Sequence, residues 1–69
     1  MATITNYLKQ NGWKYTGDGH WYHAERKQTA LDYVWAIYFE LKINKEKTLE
    51  FLKSLNKIPP DIQKLMAGM

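Results

Sequence analysis

The chain contains no cysteine, which excludes a disulfide framework and a thiolate zinc site. Arg26 is the only arginine among ten cationic residues. The planar fork that favours phosphate and base recognition is therefore scarce. Ser54 is the only serine, and no nucleophile-elbow glycines surround it. The longest apolar run, Tyr33 to Phe39, is far shorter than the roughly 20 residues that span a bilayer. No membrane association is expected. The first residues lack the basic and apolar regions of a signal peptide, so a soluble, cytoplasmic protein is expected. No phosphate-cradling glycine loop is present and no carboxylates stand out as a pair. An enzyme is not expected, nor is a cofactor.

What is present is an ordinary globular composition with an aromatic surplus. Apolar residues make up 45% and charged residues 25%, which argues against disorder. Aromatics reach 14%, giving a short chain large buried area per side chain. The 69 residues suffice for one small domain, 1–69, and such a domain buries only about 60% of its unfolded surface. The net charge of +3 mildly favours acidic partners.

Five segments are predicted. Thr3 caps a short helix from Ile4 to Gln10, with Ile4, Tyr7 and Leu8 on one face. Asn11-Gly12 ends it. A hairpin follows, Trp13 to Thr16 and His20 to Ala24, with a two-residue Asp18-Gly19 turn. That register pairs Tyr15 with Tyr22 and Trp13 with Ala24 on the core face. It places Lys14, Trp21 and His23 on the other, partly exposed face. A slip of one residue would exchange the faces of one strand.

Thr29 is expected to cap the main helix, about Ala30 to Ile43, with Asp32 favouring its positive end. Ala30, Leu31, Val34, Ile37, Tyr38 and Leu41 form a broad apolar face, and Trp35 and Phe39 lie on a second side. A fourth segment, Lys45 to Leu55, is capped by Asn44. Heptad spacing from Leu31 to Leu55 also permits one continuous helix, but Lys45 and Thr48 break its seam. A break near Asn44 is favoured. Pro59-Pro60 starts a last short helix with Ile62, Leu65 and Met66 on its stripe, ended by Gly68. The expected fold class is α+β: a two-stranded antiparallel hairpin packed on three to four helices, in the order α-β-β-α-α-short α.

His20 and His23 stand three apart. On a strand they point to opposite faces, which does not suit one shared metal ion. No metal site is expected. The stretch Leu8-Lys9-Gln10-Asn11-Gly12-Trp13-Lys14, followed by Gly19-His20, resembles the start of HicA-type mRNA interferases. Those small basic toxins begin with a helix, a Gly-Trp strand and a strand carrying a catalytic histidine. The resemblance implies that His20 is a catalytic base. It also implies a third strand before the last helix, where the patterning here starts a helix at Thr29.

Two binding functions compete more broadly. Trp35 and Phe39 suit a protein interface, whether with another protein or with a second copy. Alternatively, the helix bearing Leu49 and Phe51 covers them as core. Trp21, His23 and Lys14 form an aromatic and basic hairpin face on which nucleic-acid bases could stack. The leading expectation is an accessory or regulatory protein that binds another macromolecule, foremost a protein. Nucleic-acid binding is the alternative and an interferase the lesser one.

Overall fold

The Thr3 hydroxyl accepts a hydrogen bond from the Asn6 amide at 3.2 Å, satisfying one orphan N–H group of a helix start. Helix α1 spans Ile4–Gln10. In the computed structural model, which describes residues 3–68, it is followed by β1 (Trp13–Tyr15), β2 (Trp21–His23) and β3 (Gln28–Ala30). Helices α2 (Tyr33–Ile43), α3 (Lys45–Ser54) and α4 (Pro60–Ala67) complete the chain. The α+β class holds, but the sheet is a three-stranded antiparallel meander in the order β1-β2-β3.

Gly12 joins α1 to β1 with φ +99°, where L side chains are strained. A Cβ there would also lie 2.6 Å from His23 Nε2. Both the backbone and the space demand glycine.

The first hairpin closes through three residues rather than two. Gly17-Asp18-Gly19 forms the loop, and the Thr16 amide donates to the His20 carbonyl at 3.0 Å. Tyr15 therefore faces Trp21, Lys14 faces Tyr22 and Trp13 faces His23. The extra loop residue moves the expected register by one, and this exchanges the faces of β2. Trp21 and His23 turn inward and are buried, while Tyr22 is exposed. Burying the larger, less polar Trp21 in place of Tyr22 favours this register.

Thr29 and Ala30, expected to cap and begin the main helix, belong instead to β3. Trp21 pairs with Ala30, Tyr22 with Thr29 and His23 with Gln28. Lys27 turns the chain at φ +50°, its amide donating to the Ala24 carbonyl at 3.3 Å. The cap of α2 is Asp32, whose carboxylate accepts from the Trp35 amide at 3.0 Å. Asp is a stronger N-cap than Thr, which leaves Thr29 free to join the ladder.

Leu8, Ala30, Ala36, Ile37, Leu52 and Ile62 are fully buried where the inner sheet face meets the helices. Tyr7 ties α1 to α3. Its ring stacks on Phe51 with centroids 4.0 Å apart, and its hydroxyl shares a buried 3.0 Å hydrogen bond with Thr48. The chain breaks between α2 and α3 at Asn44, as expected. Asn44 does not cap α3 with its side chain, because that amide donates to Glu40 Oε2 at 3.1 Å. Pro60 occupies the start of α4, where no amide donor is needed.

Candidate functional site

Three regions carry chemistry: a buried polar knot, the outer sheet face and a groove between α2 and α4. The knot is centred on Glu40, whose carboxylate is fully buried. It accepts hydrogen bonds from the Trp13 indole N–H at 2.8 Å, the Asn44 amide and the Arg26 guanidinium. Burial pushes the Glu40 carboxyl up. The hydrogen bonds from Trp13, Arg26 and Asn44 and the Arg26 charge outweigh it and hold the group below its ordinary value. His23 belongs to the same wall. Its Nδ1 accepts from the Arg26 amide at 3.3 Å, so Nε2 carries the proton and donates to the Asn11 carbonyl at 2.7 Å. Both ring nitrogens are thus hydrogen-bonded. The knot joins β1, β2 and the β2–β3 turn to α2, and only the Arg26 side of its ion pair reaches the surface.

The outer sheet face carries Lys14, Tyr22 and Thr29 in register across the three strands, all exposed. Of the hairpin residues expected to form a binding face, only Lys14 lies there. Trp21 and His23 are corrected to the core side. The His20 side chain is 44% exposed with Asp18 Oδ2 3.7 Å from Nδ1. No group of three or more His, Asp or Glu side chains is placed to hold a metal among the described residues.

The groove lies on the far side of α2. Trp35 is 46% exposed, making a tilted contact with Phe39 and an edge contact with Tyr38. Phe39 is half-buried and stacks on Trp13 with centroids 6.2 Å apart. The structure thus divides the expected pair: Phe39 seals the core and Trp35 stands on its surface. Phe51, which could have covered them, is instead stacked on Tyr7. Val34, Trp35, Tyr38 and Leu65 line a depression of about 360 Å³. It shares Tyr38 and Leu65 with a larger one of about 510 Å³, lined also by Leu41, Lys42, Lys45, Lys64 and Gly68. The sequence reading missed the three lysines. The four-residue spacing of Tyr38 and Lys42 is a local signal, and Lys42 Nζ indeed sits 4.6 Å from the Tyr38 ring centre. That α4 brings Lys64 to the same groove is a tertiary fact.

The third strand gives residues 4–43 the order α-β-β-β-α, and α3 and α4 follow it. Comparison with protein-family models, curated proteins and solved structures yields no match to this chain. Among the described residues, no helix is long and apolar enough to cross a membrane.

Proposed function

We propose that this protein is a small binding module that docks another protein through the exposed side of α2. One observation carries the proposal: Trp35 is half exposed over an apolar groove, although the same helix buries Ala36 and Ile37 completely. Large aromatics at the centre of an apolar depression are the side chains that most often anchor interfaces. Tyr38 and Leu65 form the floor, and Phe39 supports Trp35 from the core side.

The exposed register of Lys14, Tyr22 and Thr29 favours a second reading, in which a nucleic acid lies across the open sheet face. His20 beside that face extends it to an interferase-like activity. Two surface variants separate the readings. Trp35→Ala should abolish retention of protein partners from the source lysate, while Lys14→Glu leaves it intact. The converse pattern sinks the docking reading, above all with oligonucleotide binding that weakens steeply with salt.

A further inference from the structure

We infer that the α2–α4 groove receives an acidic amphipathic helix of a partner protein, its apolar residues on the groove floor and its carboxylates against Lys42, Lys45 and Lys64. The assignment rests on the docking role of α2 proposed above and names the chemistry of the docked segment. Charge complementarity supports it. The three lysines line the same depression, and none of its lining residues is acidic. Among the described residues the ion pairs join Arg26 to Glu40 and His20 to Asp18, so neither engages these lysines. Lys42 is held over the Tyr38 ring, which fixes its charge at the groove wall.

Shape points the same way. From Trp35 to Lys42 the helix rises about 10.5 Å, two turns, which matches the spacing of residues i and i+7 on a docked helix. The floor is apolar, made by Tyr38, Leu41 and Leu65, so the occupant must bring apolar side chains as well as charge. A duplex, whose bases are stacked inside, brings mainly phosphate charge to such a floor. A second copy fits poorly, because a two-fold contact through this groove would set the same lysines against each other.

The test uses the full chain and two synthetic helical peptides with leucine at i, i+4 and i+7. One carries glutamate and the other lysine at the remaining exposed positions. Labelled-peptide anisotropy measures affinity at low and raised salt, and the Trp35 indole N–H signal reports docking. The glutamate peptide is expected to bind about tenfold or more tighter than the lysine peptide. Lys42→Glu with Lys64→Glu should reverse that preference, and Trp35→Ala should weaken the glutamate peptide by about thirtyfold. All three positions are exposed, and circular dichroism checks that the variants fold. Equal binding of both peptides overturns the acidic assignment and leaves the apolar docking face standing. Failure of both overturns the two together. Displacement of the peptide by a single-stranded oligonucleotide, with Trp35→Ala silent, overturns the assignment in favour of a general polyanion patch.

Discussion

Trp13 and Trp35 show how differently one residue type is used on the two sides of α2. Trp13 is 2% exposed, donates its indole N–H to a buried carboxylate and stacks on Phe39. Trp35 makes a tilted contact with the same Phe39 and leaves nearly half of its surface in water. The contrast separates a tryptophan that completes a core from one available to a partner. A buried indole needs a partner for its N–H, and here that need fixes where Glu40, Arg26 and Asn44 must stand. An exposed indole imposes no such demand, so its neighbours are free to form a groove.

The sharpest way to break the comparison is Glu40→Ala. It should destabilise the fold by about 3–5 kcal/mol, since it strands Arg26 and the Trp13 N–H. A chain of this length has only roughly 3–10 kcal/mol in total, so a largely unfolded protein is expected by circular dichroism. Next comes Gly12→Ala, expected to cost roughly 2–3 kcal/mol in urea melts. Gly17→Ala has a similar positive φ but nothing within 4 Å of the added methyl, so its cost should be smaller. Equal costs would show that the contact with His23 does not matter.

Acid titration tests the knot without mutation. Glu40 has a lowered carboxyl pKa in the fold, so the unfolded chain takes up its proton at the higher pH. The stabilisation is complete above the ordinary carboxyl value and is lost as pH falls through the lowered folded value. The urea midpoint should therefore decline below about pH 4.5, and Glu40→Gln should decline less steeply. Trp13→Phe should cost about 1 kcal/mol for the lost hydrogen bond. Trp35→Ala should have the smallest effect on stability, no more than about 1 kcal/mol. A cost well above that would make Trp35 a core residue and remove the anchor of the docking face.

Several elements could be read from local chemistry. Thr3 as a cap, Asn11-Gly12 as a stop, the break at Asn44 and Pro60 at a helix start each depend on a few adjacent residues. Other features could not. The count of loop residues between β1 and β2 is ambiguous in Gly17-Asp18-Gly19, since each glycine accepts positive φ. That ambiguity alone exchanged Trp21 and His23 for Tyr22 on the outer face. Gln28–Ala30 is a strand only because β2 offers it a pairing edge, and its own residues carry a weak strand preference.

The candidate site follows the same division. Trp35 and Phe39 could be singled out from their spacing, but Phe39 stacks inward on Trp13 and only Trp35 reaches the surface. By itself the sequence determined the α+β class, most helix boundaries and the small excess of positive charge, because capping, periodicity and composition act over a few residues. Tertiary structure alone decided the sheet register, the burial of Glu40 and the meeting of Lys42, Lys45 and Lys64 around one groove. These depend on contacts between residues far apart in the chain, and long-range packing chooses among local arrangements of nearly equal energy.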